Sequence, residues 1–327
     1  MTRAAVLRTF APPEEAIAVE DWPVSDPQIG EVLVEMLAAP VNPADINVIE
    51  GQYGELPDLP AVVGNEGAGR ILAAGPEVIG LAPGDLVVLL QPGTWAGRVT
   101  LPASEVVKLP EDLDPFQAAM MAVNPPTAFL MLRDFAELKP GDWVVQNAAN
   151  SAVGCCVIQI AKARGLKTLS IVRRDSLVAE LEAMGGDVVI TDDVDLRKTA
   201  KSLCGGQLAR LGLNAVGGAS ALNVANALEP GATLVTFGGM ARQPLKIPNG
   251  LLIFKDLRFC GFWLSRWKKS VPPEDKSAVF QELSDLARCG KLRLPVHSTH
   301  RLEDLQKALA AAGESSRNGK VLLELGT

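Results

Sequence analysis

The sequence predicts an α/β chain in two parts: a β-rich, barrel-like domain over residues 1–120, then a doubly wound parallel sheet. Three observations carry this. Residues 1–120 are filled with short apolar or alternating runs between Gly and Pro punctuation. After about Pro115, strand-like runs alternate with helix-length connections, the pattern of parallel strands joined by crossovers. A length of 327 residues is too great for one ordinary core and suits two domains.

In chain order, "EVLVEMLAAPVN" (31–42), "AGRILAAG" (68–75), "GDLVVLL" (84–90) and "GRVTLPASEVVKLP" (97–110) read as strands and turns. "PFQAAMMAVNPPTAFLMLRDFAEL" (115–138) has helical spacing interrupted by Pro125 and Pro126. Strands are predicted at "DWVVQNAA" (142–149), "KTLSIVRR" (167–174), "DVVITDD" (187–193), "LGLNAVGG" (211–218) and "TLVTFGGM" (233–240). Between them, "VGCCVIQIAKARG" (153–165), "SLVAELEAMGG" (176–186) and "SALNVANALEPGA" (220–232) read as helices. The tail adds two amphipathic helices, "DKSAVFQELSDLARCG" (275–290) and "LEDLQKALAAAG" (302–313), and a last strand, "GKVLLELG" (319–326). There are no repeats and no low-complexity linker.

Composition narrows the class. With 48% hydrophobic and 21% charged residues, the chain can bury a sizeable core. A net charge of −7 argues against a nucleic-acid partner. No apolar run approaches the ~20 residues that span a bilayer, so no membrane partner is expected. The amino terminus has neither signal-peptide nor Arg-rich transit character. Five cysteines, an odd number without metal spacing, suit a reducing compartment, and a cytoplasmic protein is expected. Cys155 and Cys156 read as apolar fillers of one helix. His297 and His300 lack partners at metal spacing, so no metal site is expected.

The strand–turn–helix at 143–164 stands where a Rossmann domain holds a pyrophosphate on a helix amino terminus. Its turn, Asn147-Ala148-Ala149-Asn150-Ser151-Ala152-Val153-Gly154, contains one glycine instead of G-x-G-x-x-G. Small residues still let backbone approach a phosphate, and Asn150 or Ser151 can donate to it. Taken alone, the turn reads equally well as an ordinary capped βα turn. The next strand shifts the balance: it ends in Arg173-Arg174, at the spacing where NAD enzymes place an acid for the adenosine ribose. Guanidinium groups suit a 2′-phosphate, so the expected cofactor is NADPH rather than NADH.

Several stretches together resemble the medium-chain dehydrogenase/reductase superfamily and, within it, the mitochondrial-type trans-2-enoyl thioester reductases. They are "VNPADIN" (41–47), "GQYG" (51–54), "GNEG" (64–67), "VNPPTA" (123–128), "QNAANSAVG" (146–154), "FGGM" (237–240) and "IFKDLRFCGFWLSRWKK" (253–269). The resemblance implies a Rossmann domain over 121–265 inserted into a GroES-like catalytic domain formed by 1–120 with 266–327. The superfamily's zinc alcohol dehydrogenases carry a histidine in a G-H-E motif and a cysteine ligand. Here the corresponding stretch is Gly64-Asn65-Glu66-Gly67, and residues 1–120 contain neither cysteine nor histidine. The Lewis acid that stabilises an alkoxide is therefore not expected. Ala152 stands where the family usually has glycine.

The implied reaction is NADPH-dependent reduction of the C=C bond of an acyl-CoA or acyl-carrier-protein enoyl thioester. It needs a hydride at the β carbon, a proton at the α carbon and donors for the enolate oxygen. A phenol, ordinarily protonated up to about pH 10, can supply the proton or a hydrogen bond. Tyr53, the only tyrosine, matches the family's proton donor; an average loop tyrosine would only cover apolar surface. The resemblance also implies cofactor contacts from Asn124 at the nicotinamide, Asn150, Ser151, Ala152 and Val153 at the pyrophosphate, and Arg173, Arg174 and Asp175 at the 2′-phosphate. Phe237, Gly238, Gly239 and Met240, with Phe262, Trp263, Leu264 and Ser265, would border the nicotinamide, and Lys320 would approach from the tail. Trp263 and Trp267 read either as acyl-pocket walls or as core. Arg266, Lys268 and Lys269 read either as a patch for coenzyme A phosphates or an acidic carrier, or as a solvated helix start. The family is commonly a dimer, with "LRFCGFWL" a candidate edge strand. Two rivals stand: a zinc-free quinone or enone reductase, and a non-catalytic NADPH-binding sensor.

Overall fold

The computed structural model describes residues 1–314 and 317–326. The chain forms two compact units, Met1–Val123 with Phe280–Thr327, and Asn124–Val279. The first unit holds β1 (Thr2–Leu7), β2 (Ile17–Trp22), β3 (Glu31–Pro40), β4 (Ala61–Val62), β5 (Gly67–Ala74), β6 (Leu86–Leu89), β7 (Arg98–Pro102) and β8 (Val106–Lys108). The second holds β9 (Trp143–Gln146), β10 (Lys167–Val172), β11 (Val188–Thr191), β12 (Ala209–Asn214), β13 (Leu228–Thr236) and β14 (Arg258–Gly261). β15 (Val296–Arg301) and β16 (Lys320–Glu324) return to the first.

In the first unit a small antiparallel sheet runs β2-β1-β4, and a larger one runs β15-β16-β3-β5-β6-β8 with β7 also paired to β3. β3 explains the layering: Val32, Val34 and Met36 alternate inward, so every second side chain enters the core. They pack with Leu7, Ile71, Leu89, Trp95 and Leu101, and the helix Leu305–Gly313 adds Leu305, Ala308 and Leu309 from one face. Four strands here were not predicted, the two-residue β4 among them. Ala4 to Leu7 of β1 are buried on both faces, which erases the alternation that marks a half-buried strand. β2 follows a single helical turn, and β15, "VHSTHR", is polar and largely exposed.

The second unit is one parallel sheet, β11-β10-β9-β12-β13-β14. Counted within the unit, the order is 3-2-1-4-5-6, the doubly wound order whose direction reverses between β9 and β12. Pro125 and Pro126 do not interrupt a helix as the sequence suggested. They lie in the first turn of the helix Asn124–Asp134, where missing N–H groups cost nothing, and the break falls before it, after Pro115–Ala119. β13 starts earlier than expected, at Leu228. An unpredicted helix, Leu196–Leu203, is capped by Asp195, whose Oδ1 accepts from Arg197 N at 3.0 Å; it buries only Leu196 and Ala200, too thin a stripe to read. Among the described residues, no helix is long and apolar enough to cross a membrane.

Candidate active site

Parallel doubly wound sheets offer their carboxyl edge as the binding surface, at the point where strand order reverses. Four of the predicted groups lie at carboxyl ends of strands in this one sheet. Asn150 to Val153 follow β9, Arg173 to Asp175 follow β10, Phe237 to Met240 follow β13, and Phe262 to Ser265 follow β14.

The turn after β9 is tightly specified. Ala148 has φ +48°, a left-handed conformation that glycine usually takes. Ser151 caps the helix Ala152–Ala163, its Oγ accepting from Gly154 N at 3.1 Å. The one glycine is where a side chain cannot go: a Cβ on Gly154 would stand 2.4 Å from the Ala149 carbonyl oxygen. Ala152 is the first helical residue, so its methyl group demands no unusual backbone. The missing glycines are thus absorbed by a strained Ala148 and an ordinary helical Ala152. Asn150, Ser151, Ala152 and Val153 are all half-buried.

Arg173 and Asp175 are exposed and Arg174 half-buried at the end of β10. Met240 is exposed, whereas Phe237 and Gly238 are half-buried. Phe262 donates its N–H to Thr236 O at 3.0 Å and meets Phe135 edge to face at 5.8 Å. Trp263 and Ser265 are half-buried around a buried Leu264 at the start of the helix Leu264–Ser270. That helix carries Arg266 and Lys269 exposed, Lys268 and Trp267 half-buried. Asn124, buried, heads the helix Asn124–Asp134 in the same unit.

Four polar residues beneath this edge were not singled out in the sequence. Asn147 donates from Nδ2 to Asn214 Oδ1 at 2.8 Å and to Ser220 Oγ at 2.9 Å, and its Oδ1 accepts from Ala215 N at 2.8 Å. Asn214 in turn donates to Thr236 Oγ1 at 3.2 Å. Asn147 and Asn214 are buried. Only the pairing of β9 with β12 brings them together, and no local signal announces it.

Tyr53 and Lys320 belong to the first unit. Tyr53 is half-buried in an irregular segment after the helix Pro43–Ile49. That segment is tied to the helix end by Gly51 N to Val48 O at 3.0 Å and Gln52 N to Asn47 O at 2.7 Å, and Gly51 turns with φ +70°. Lys320 is buried, and its Nζ donates to Asn42 Oδ1. Asn42 passes the chain on, donating from Nδ2 to Glu66 Oε1 at 2.9 Å. The other Glu66 oxygen accepts from Ala122 N at 3.0 Å and Val123 N at 2.8 Å. Asn65 donates its backbone N–H and its amide to Asp45 Oδ1 at 2.9 and 2.6 Å. Burial pushes the Asp45 carboxyl up to about 7 against the pull of its Asn42 and Asn65 donors and of the Lys320 charge.

Residues 28–111 match the alcohol dehydrogenase GroES-like domain family and residues 152–285 the zinc-binding dehydrogenase family. The chain is 42% identical to the human mitochondrial enoyl-[acyl-carrier-protein] reductase over 330 residues, covering 99% of this chain and 88% of that one. A solved complex of Etr1p, a 2-enoyl thioester reductase of Candida tropicalis, with NADP and crotonyl-CoA has a similar fold, at a TM-score of 0.90, 31% identity and 99% coverage of both chains. A putative NADPH:quinone reductase from Bacillus thuringiensis fits with a TM-score of 0.92 at 28% identity, covering 99% of this chain and 98% of that one. Backbone shape alone therefore does not separate the two reaction classes, whereas sequence does, and on that evidence the chain belongs to the medium-chain dehydrogenase/reductase family, in the branch of the mitochondrial-type enoyl-[acyl-carrier-protein] reductases.

Proposed function

We propose that this chain reduces the C=C bond of trans-2-enoyl thioesters with NADPH, without zinc, and with Tyr53 as proton donor. The observation that carries the reading is the 42% identity to the human enoyl-[acyl-carrier-protein] reductase along 99% of this chain. The donor set suits NADPH. A helix amino terminus opens behind the small turn 147–151, and two guanidinium groups, Arg173 and Arg174, stand at the end of the next strand, where the 2′-phosphate group would be met. The bound dinucleotide supplies the hydride.

The chain's own residues do the rest. Ser151 and the first N–H groups of its helix bind the pyrophosphate. Asn124, Phe237 to Met240 and Phe262 to Ser265 border the nicotinamide, and Lys320 acts from the tail by anchoring Asn42. The Tyr53 hydroxyl donates its proton to the α carbon, so that hydride and proton complete the saturated thioester. The cofactor is assigned to the part formed by residues 121–265, and the proton donor to the part formed by 1–120 with 266–327. The Arg266, Lys268 and Lys269 patch meets the phosphates of the carrier. The enzyme works as a homodimer joined at the β14 edge, and in the cytoplasm. Five free thiols among the described residues support a reducing compartment.

NADPH consumption with trans-2-enoyl-CoA substrates of increasing length, beside a simple quinone, tests the reading. Turnover on the thioesters alone is expected; turnover on the quinone alone moves the chain to the rival class. Tyr53→Phe should retain NADPH affinity and lose roughly 100-fold or more in turnover, the scale of general-acid loss. Near-wild-type turnover would remove Tyr53 from the mechanism.

A further inference from the structure

The turns that follow β9, β12 and β13 are joined into one hydrogen-bonded rim. Asn147, at the end of β9, accepts from Ala215 N through Oδ1 at 2.8 Å. Asn214, at the end of β12, gathers Val216 N and Gly217 N on its Oδ1 at 3.2 and 3.0 Å, the same oxygen that takes the Asn147 amide. The turn 215–217 then passes the connection outward, since Met240 N donates to Ala215 O at 3.0 Å and Ala241 N to Val216 O at 2.9 Å. Packing is close throughout: a Cβ on Gly238 would stand 2.9 Å from Ala215 O, and one on Gly217 2.8 Å from Gln243 O. The phosphate turn has a separate tie to β10, Ala149 N to Ile171 O at 3.1 Å, which owes nothing to the Asn147 side chain.

We propose that Asn147 and Asn214 are positioning residues that set the spacing between the turn 147–151 and the turn 237–241, holding the pyrophosphate and nicotinamide ends of NADPH in register. This rests on the NADPH reading above and goes beyond it, because neither asparagine is assigned a contact with the cofactor. A hydrogen-bonded amide network is suited to the task. Both buried asparagines engage their amide nitrogen and oxygen, which favours one geometry and one separation of the two turns. Removing the Asn147 amide strands the Ala215 N–H and loosens the turn 215–217 to which Met240 and Ala241 are bonded, while the tie to β10, and with it the adenosine end, stays in place.

The test compares two ligands by fluorescence and calorimetric titration of the full chain: NADPH, which spans both turns, and 2′,5′-ADP, which reaches only the adenosine end. In Asn147→Ala the NADPH dissociation constant should rise about tenfold or more, with 2′,5′-ADP within about twofold of wild type. Unchanged affinity for both, or a parallel loss of both, would overturn the proposal, since a purely structural role lowers the melting temperature without splitting the two ligands. Where the alanine variant does not fold, Asn147→Ser, which keeps a polar group but cannot span the gap, takes its place, and failure of both to fold overturns it as well. A wild-type chain that binds neither ligand sinks the NADPH reading itself. A wild type that binds both, with a variant that does the same, sinks only the positioning role.

Discussion

Each unit holds a hydrogen-bonded polar cluster, and the two are built from opposite chemistry. The first unit uses charges: Asp45, Glu66 and Lys320, joined by Asn42 and Asn65. The second uses neutral amides and hydroxyls: Asn147, Asn214, Ser220 and Thr236. A neutral network costs little to desolvate and does not titrate, so it fixes geometry whatever the pH. A charged one binds its partners more strongly, loses more when a member is removed, and answers to pH. The difference teaches which cluster tolerates change.

The comparison breaks first, and hardest, at Glu66. Its carboxylate serves one amide and two backbone N–H groups at full burial, so Glu66→Ala should cost about 3 kcal/mol or more, read from urea unfolding. A loss no greater than that of a surface substitution would show that the charged cluster is not what holds the end of this unit. A smaller and more telling effect is the pH response of Asp45. Its carboxyl sits at about 7 in the native state, against about 4 in an unfolded chain. The folded protein therefore keeps a proton that the unfolded chain has released. The stability this supplies is complete below about pH 4 and lost as pH rises through about 7. The stability difference between wild type and Asp45→Asn should shrink from about pH 5 to about pH 8; a flat difference would contradict the assignment. Asp85 works in the other direction. The Lys108 ammonium at 2.6 Å holds it below the usual carboxylate range, so its contribution is lost as pH falls. The mildest test lies in the neutral unit: Ala148→Gly relieves a left-handed alanine and should stabilise by up to about 1 kcal/mol, measured by thermal unfolding. A loss there would mean that unfolded-chain entropy outweighs the strain.

These clusters also show why some of the site was legible in the sequence and some was not. Arg173 and Arg174 were legible because they interrupt an apolar run at the spacing a dinucleotide fold requires, and the structure has them at the end of β10. Tyr53 stood out by being alone in its residue type within a recognisable motif. β9 and β10 were legible because strands buried on both faces are apolar runs cut by turns. Asn147, Asn214, Ser220 and Thr236 were not, because each looks like an ordinary polar residue at an element end. The contact between Asn42 and Lys320 was not legible either, because it depends on the antiparallel pairing of β16 with β3. Ala152, which stands where the family usually has glycine, has an ordinary helical backbone, and the left-handed residue of the turn is Ala148.

That pairing has a consequence for how the protein is made. Leu322 of β16 faces Pro40 of β3, so the larger sheet of the first unit joins two ends of the chain, while every strand of the second unit is drawn from one continuous stretch. As the chain leaves the ribosome, the later-coded unit has all its strands before the earlier one has its last. The end of β3 at residues 38–40 must wait for its β16 partner, and the closing piece brings Lys320 with it. Chaperone demand should therefore concentrate on the amino-terminal half, which emerges first and closes last.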